Sequence, residues 1–414
     1  MNHNNRVVVT GIGIVSPIGN DLETVVDNLK NGFNGVSEIE LFDTTDFTVK
    51  IAAECKNYQA SDHFTRKEER RMDRSNQFAI VAARKAREDA KLEIPQTTRV
   101  GCIMSSGIGG LNTIDSEIAQ AQTRGYDRMS PFFISKSIAN MSSGQIAIDL
   151  GIHGYVSSSV TACASGSNAI MDAYDLIRSG RQDIVFAGGC EASINPSGIG
   201  GFTSMKALSD SNNINRASIP FDSDRSGFVM GEGAACLVLE NYEMAVKRGA
   251  KIYGEIVAAE MTCDGYHITH PCVDGKYQIE VMKQALNTAG IKPAELDYIN
   301  AHGTSTVLND QIETHSIKSV LGENNKNVAI SSTKSMTGHL LGAAGAIESA
   351  ICLLAIKHNF IPPTINLEQI ETSIDLNIVA NQMQTKKVNY ALNNSFGFGG
   401  HNVAIIFKGL NHEI

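Results

Sequence analysis

The sequence predicts an α/β fold of two similar halves packed closely together. Three observations predict it. Apolar strand-like runs alternate with helical patterns, this alternation restarts near residue 250, and no Pro- or Ser-rich linker divides the chain there. Strands separated by helices form sheets covered on their faces. No clear sequence repeat accompanies the restart, so duplication rests on the pattern alone. The expected halves are 1–250 and 251–414.

Each element has its own reason. Residues 6–15, RVVVTGIGIV, read as a buried strand entering a glycine turn, and 21–31 as a helix. Residues 65–91 form a long charged helical stretch, interrupted by polar residues. RVGCIM (99–104) is a strand that opens into the small-residue loop SSGIGG. VSSSVTA (156–162) reads as a strand. Apolar residues at 169, 170, 173, 176 and 177 then follow helical spacing until Gly180 stops them. DIVFAGG is another buried strand. Past 250, KIYGEIVAAEM is strand-like, 277–289 helical, LDYINAHG a strand, and 309–321 a helix ending at Gly322. NVAISST is a strand and 340–358 a long helix. NYALNNSFGFGGHNVAIIF closes the chain as two strands about a glycine-rich turn.

Composition bounds the function. The chain of 414 residues, with 42% hydrophobic residues and 37 glycines, suits a large turn-rich globular protein. A net charge of −9 argues against a general nucleic-acid binder but leaves room for a local basic patch. The eight cysteines form no C-x-x-C, and so long a chain needs no staples, so reduced thiols and a cytoplasmic setting are expected. MNHNNRVVVT carries no apolar signal core. The most apolar stretch, 340–356, is broken by Glu348 and is shorter than the ~20 residues that span a bilayer, so no membrane insertion is expected.

Cys163 lies between a strand and a helix, with Ala162, Ala164 and Gly166 about it. A helix N-terminus lowers a thiol's pKa and favours the thiolate. A cysteine is equally a common small buried residue, and the local pattern leaves both readings open. Two histidines stand in comparable settings. His302 opens the turn HGTST, and His339 lies in STKSMTGHLLG before a helix. A cysteine with distant histidines is the layout of a thiol nucleophile with helpers. The turn SFGFGG could offer backbone N–H groups to an oxyanion, or could be a plain glycine hairpin. Other motifs fail. In VTGIGIVSPIG, Ser16 stands where a dinucleotide fingerprint needs glycine. Cys263, His267, His270 and Cys272 match no common zinc spacing, so no metal is expected. Neither G-x-S-x-G nor a phosphate-cradling P-loop occurs.

Five blocks together resemble one family. TACASGSNA, FDSDRSGFVMGEGA, NAHGTST, STKSMTGHLLGAAGAIE and NSFGFGGHN occur in order, and the fit runs from about 6 to 408. They resemble the signatures of β-ketoacyl-acyl-carrier-protein synthases of the elongating, Cys-His-His branch. The resemblance implies a thiolase-like fold, two similar α/β halves in five layers, and a homodimer. It implies decarboxylative Claisen condensation in fatty-acid elongation, with substrates on the phosphopantetheine arm of acyl carrier protein and no free cofactor. Carried over, Cys163 accepts the acyl chain, and His302 and His339 serve malonyl decarboxylation. Lys334 matches a lysine at the site. Glu348 matches its acidic partner and is placed among the substrate-binding residues. Phe398 matches a gate whose N–H joins that of Cys163 in the oxyanion hole. Thr304 and Thr306 match contacts to the arm, Thr269 a pocket-lining threonine, and Ile108 and Phe202 acyl-pocket walls. Lys67, Arg70, Arg71, Arg128 and Lys206 are docking candidates for an acidic carrier. A solvated helix face laced with Glu68 and Glu69 is the plainer account of the first three. His401 stands where many relatives have threonine and is not counted with the catalytic pair.

Three other classes compete. A non-catalytic chain-length partner typically lacks the cysteine that is present at 163. A thiolase or priming synthase would lack the histidine of SMTGHLLG. A type I or polyketide-type synthase differs in chain preference, which the sequence does not reveal.

Overall fold

The computed structural model describes residues 5–410, so the first residues of MNHNNRVVVT and the last four of the chain lie outside the described residues. Eleven strands share one sheet. They are β1 Val7–Val15, β2 Val100–Ser105, β3 Val156–Ser157, β4 Ile184–Glu191, β5 Gly233–Asn241, β6 Gly254–Cys263, β7 Tyr298–Asn300, β8 Ala329–Ser331, β9 Asn377–Ile378, β10 Tyr390–Gly397 and β11 His401–Lys408. Their spatial order is β9-β8-β7-β10-β11-β6-β1-β5-β4-β2-β3.

That order contains one pattern twice. In β3-β2-β4-β5-β1 the first three strands are parallel and the next two antiparallel to their neighbours. In β8-β7-β10-β11-β6 the same relations recur. The two half-sheets meet where Val7–Val9 pair antiparallel with Gly254–Ile256.

The helices repeat as well. α1 (Arg74–Asp89) and α2 (Met141–Leu150) belong to the first half, and α4 (Lys276–Ala289) and α5 (Val307–Leu321) stand at the same chain positions in the second. α3 (Ser165–Arg178) and α6 (Ala344–His358) precede β4 and β10 respectively. α1 packs on β1 and β5, α4 on β6 and β11, while α3 and α6 pack on each other between the half-sheets. Helix, sheet, helix, sheet, helix make the five layers. The central position of α6 explains its composition, because a helix buried on all sides is apolar on all sides. The stretch Leu341–His358 is apolar and long enough for a membrane span, but 89% of it is buried within the fold.

Several elements differ from their sequence reading. VSSSVTA forms a strand only at Val156–Ser157 and reaches Cys163 through a loop and a 3-10 turn at Ala162–Ala164. Serine hydroxyls compete with the ladder here. Ser158 Oγ donates to Met104 O at 2.7 Å, and the Ser159 N–H donates to Ser105 Oγ at 3.0 Å. The stretch 65–91 is two helices, Arg66–Glu69 and α1, because Asp73 caps α1 by accepting from Ser75 N at 3.0 Å. The 340–358 helix begins as a 3-10 turn at Leu341–Ala343. Strand β5 and the helices Leu111–Arg124, α2 and Pro196–Ser204 have no counterpart in the sequence reading.

Candidate active site

Cys163 sits in the tight turn that feeds α3. Ala162 adopts φ 52°, a left-handed conformation that an alanine resists. Ser165 stabilises the turn, since Thr161 N donates to its Oγ at 2.9 Å and that hydroxyl donates to Ala162 O at 2.7 Å. The turn is mirrored in the second half, where Leu341 takes φ 47° before α6. The Cys163 thiol is free and only 8% exposed. Burial pushes it up to about 12, while the Lys334 ammonium and the Phe398 N–H pull it down. This corrects the expectation of a lowered thiol pKa, because desolvation outweighs the favourable neighbours.

The histidines come from the second half. His302 follows β7, and its loop is held by Glu313 of α5, whose carboxylate accepts from His302 N and Gly303 N at 2.7 Å each. Lys334 Nζ lies 2.5 Å from Glu348 Oε1 and 3.4 Å from His302 Nδ1. An ammonium only donates, so Nδ1 accepts and the His302 proton resides on Nε2. His339 is fixed through its backbone, donating to Val229 O at 2.7 Å and accepting from Gly231 N at 2.9 Å. Those partners belong to FDSDRSGFVMGEGA, which thereby acquires a role. The two imidazoles lie 5.3 Å apart and nearly perpendicular. Burial first, and then Lys334, holds both well below the usual histidine range, so both are neutral.

These groups meet in a cavity of about 310 Å³. Of the residues named from sequence, Cys163, His302, His339, Phe398, Phe202, Thr269, Thr304, Thr306 and Lys206 line it. The Phe398 N–H reaches the Cys163 thiol. Gly397 permits this approach, since a Cβ there would stand 2.5 Å from Thr161 O and 3.2 Å from Cys163 N. Phe202 packs between Phe398 and Phe228, with ring centroids 6.5 and 5.4 Å away, and Phe228 packs on His339. Thr304 and Thr306 touch through their hydroxyls at 2.9 Å.

Other named residues lie elsewhere. Lys334 is buried behind His302 and Glu348 is buried beside Lys334, and neither lines the cavity. Ile108, in the loop after β2, is 37% exposed and does not line the cavity. Lys67, Arg70, Arg71 and Arg128 are exposed outside it, with Arg71 5.3 Å over the Phe132 ring. His401 begins β11 and is not in the lining. His267 and His270 stack at 4.5 Å, and His267 Nδ1 accepts from the N–H groups of Thr269 and His270. Cys263 donates to Gly399 O and Cys272 to Asp274.

Among the buried carboxylates that the sequence reading did not name, two hold loops at the site. Glu313 is one. Glu191, at the end of β4, is the other, and burial raises each to about 7. For Glu191 a signal existed: a charge ending the apolar run IVFAGGC has to be paired or hydrogen-bonded.

A thiol, two neutral imidazoles and a backbone N–H on the thiol suit acyl transfer and stabilisation of an enolate without a metal. Residues 4–245 match the family described as Beta-ketoacyl synthase, N-terminal domain, and 253–368 match Beta-ketoacyl synthase, C-terminal domain. The chain belongs to the β-ketoacyl synthase family. Among curated relatives, the synthase is 48% identical to 3-oxoacyl-[acyl-carrier-protein] synthase 2 of Synechocystis sp., covering 97% of this chain and 98% of that one. It is 46% identical to the protein of the same name from Staphylococcus aureus, with 99% of each chain covered. Among solved structures, a type II PKS acyl-carrier protein in complex with its ketosynthase superposes on the synthase with TM-score 0.91. The identity is 34%, with 99% of this chain and 100% of that chain covered.

Proposed function

We propose that this β-ketoacyl synthase elongates fatty acyl chains by condensing an acyl group on Cys163 with a malonyl unit on acyl carrier protein. The observation that carries the reading is the convergence of Cys163, His302 and His339 in one cavity, with both histidines neutral. Greater identity to the two named synthase 2 proteins than to the polyketide ketosynthase favours fatty-acid elongation over polyketide assembly.

The steps follow from the groups present. The Cys163 sulfur attacks the acyl thioester, and its proton leaves with the departing thiol of the arm. The oxyanion of this step faces the N–H groups of Cys163 and Phe398. Malonyl then enters and carbon dioxide departs, leaving an enolate whose oxygen accepts hydrogen bonds from His302 Nε2–H and from His339. The enolate carbon attacks the acyl carbonyl, the Cys163 sulfur leaves as a thiolate and takes up a proton from solvent, and 3-oxoacyl-carrier is released. Lys334 acts through His302 by holding its tautomer, and Glu348 balances the lysine charge. Thr304 and Thr306, which line the cavity, contact the arm in this reading, and Phe398 gates the cavity. No free cofactor is required, since the arm brings both substrates.

The reading extends to partners. An acidic carrier would meet Lys206 at the cavity rim and the exposed Lys67, Arg70, Arg71 and Arg128. Strand β3 is a sheet edge that carries exposed Val156 and is flanked by exposed Tyr155 and Val160, which suits pairing with a second copy across a twofold axis. Sedimentation as a monomer would reject the homodimer. The two halves divide near residue 250, between β5 and β6, and we assign the enzyme to the cytoplasm, checked by cell fractionation.

The test separates the roles. Cys163→Ala abolishes transfer of an acyl chain from carrier to enzyme, read by mass spectrometry, with the fold intact. His302→Ala or His339→Ala still accepts the acyl chain but releases no carbon dioxide from malonyl-carrier. Stable acylation of the first variant, or normal carbon dioxide release by either of the others, rejects the assignment.

A further inference from the structure

We propose that Glu191 is a positioning residue for both half-reactions, holding the turn that carries His339 against the helix that carries Cys163. The proposal rests on the reading above. Glu191 is fully buried at the end of β4. Its Oε1 accepts from Ser106 Oγ at 2.9 Å and from Ser193 Oγ at 3.3 Å. Its Oε2 accepts from Gly107 N at 2.8 Å and from Gly342 N at 3.0 Å, and Ile108 N–H donates as well. Among the described residues no cation pairs with it. Three of its five donors are backbone N–H groups, an arrangement that suits a carboxylate acceptor.

The segments it joins are the ones that carry chemistry. Gly342 stands three residues after His339. Its neighbours leave no room for a side chain, since a Cβ would lie 2.1 Å from Gly107 N and 2.8 Å from Glu191 Oε2. On its other side, a Cβ on Gly166, in the first turn of α3, would lie 2.9 Å from Gly342 O. The Glu191 carboxylate is thus the acceptor shared by the loop after β2 and the His339 turn, and the Cys163 helix packs on that same turn at Gly166. The charge is felt at the nucleophile too, because Glu191 is among the groups that raise the Cys163 thiol.

Glu191→Gln tests this in the full-length enzyme. The amide keeps the shape but turns an NH2 toward N–H donors. The result expected is a fall of about 10- to 100-fold in both acyl transfer to Cys163 and carbon dioxide release from malonyl-carrier, as for a small misplacement of reacting groups. KM for the carrier-bound substrates stays unchanged, because the exposed docking residues are untouched. Alkylation of Cys163 by iodoacetamide shifts to a lower midpoint pH, since a negative charge has gone. Burial is the largest influence raising the thiol, so loosening of the fold would lower the midpoint as well, and the shift is read against a variant that only loses stability. Val238→Ala, in the core of β5, gives the reference for stability loss alone. Normal rates in both half-reactions, slowing of only one, a midpoint that stays or rises, or slowing matched by Val238→Ala would each overturn the proposal. Should Glu191→Gln not fold, Ser106→Ala removes one donor and keeps the carboxylate; it slows both half-reactions a few-fold, and unchanged rates there overturn the proposal. Failure of the wild-type enzyme to accept an acyl chain or release carbon dioxide would instead reject the condensing function, while the alkylation shift would still report on Glu191.

Discussion

Burial raises the Cys163 thiol to about 12, and Lys334 is the strongest group pulling it back. The sign of the pH dependence follows. A raised thiol stays protonated through pH 9, so alkylation of the free enzyme by iodoacetamide keeps rising well beyond the pH at which an ordinary cysteine levels off. Replacing Lys334 by Met removes the lowering influence and slows alkylation at pH 9, by about tenfold for each unit the thiol rises. A profile that levels near pH 9, or faster alkylation in the Lys334→Met variant, contradicts this account. On the proposed reading, Cys163 therefore enters the reaction as a thiol rather than as a standing thiolate.

At the scale of elements, the site depends on two turns that each bend the chain through a left-handed residue before a central helix: Ala162 before α3 and Leu341 before α6. Close backbone approach then locks the closing hairpin onto the first turn. Gly397→Ala would push a methyl group against Thr161 O and Cys163 N. Overpacking of this kind costs about 1–3 kcal/mol of stability. It also displaces the oxyanion donors, and a drop of roughly 100-fold in kcat is expected. Parallel thermal melts and condensation assays check it, and full activity in a folded variant would refute the role of this contact. The difference between reading and fold at VSSSVTA belongs to the same scale. Its β-branched and serine residues look strand-like, but the hydroxyls of Ser143, Ser158 and Ser105 take over the backbone groups, and the chain leaves the sheet two residues after entering it. Such side-chain competition depends on partners from another helix and strand.

The molecule as a whole carries a net charge of −9 yet is proposed to bind an acidic carrier, so docking has to be local. Reversing Arg70 and Arg71 to glutamate is expected to raise KM for carrier-bound substrates several-fold at low salt, with the difference shrinking as salt screens it. Alkylation of Cys163 by a small reagent should not change. An unchanged KM across salt would place the docking face elsewhere. The duplication also belongs to this scale. Two half-sheets with the same order and the same parallel and antiparallel relations appear where the sequence showed only a restart near 250.

The three side chains that the fold brings into one cavity, and that are proposed to react, were legible in advance because their residue types stand beside glycine- and serine-rich turns: Cys163 in TACASG, His302 in NAHGTST, His339 in MTGHLLG. The alternation of strands and helices was legible for a similar reason, since periodicity is local. The supporting carboxylates were not. Glu191 and Glu313 act on backbone N–H groups, which every residue but proline has and which side-chain identity does not mark, and Glu191 reaches across 151 positions to Gly342. The state of the nucleophile was likewise set by the fold. A helix N-terminus argues for a thiolate, but burial of the thiol argues more strongly the other way, and how deeply a side chain is buried is decided only when distant segments close over it.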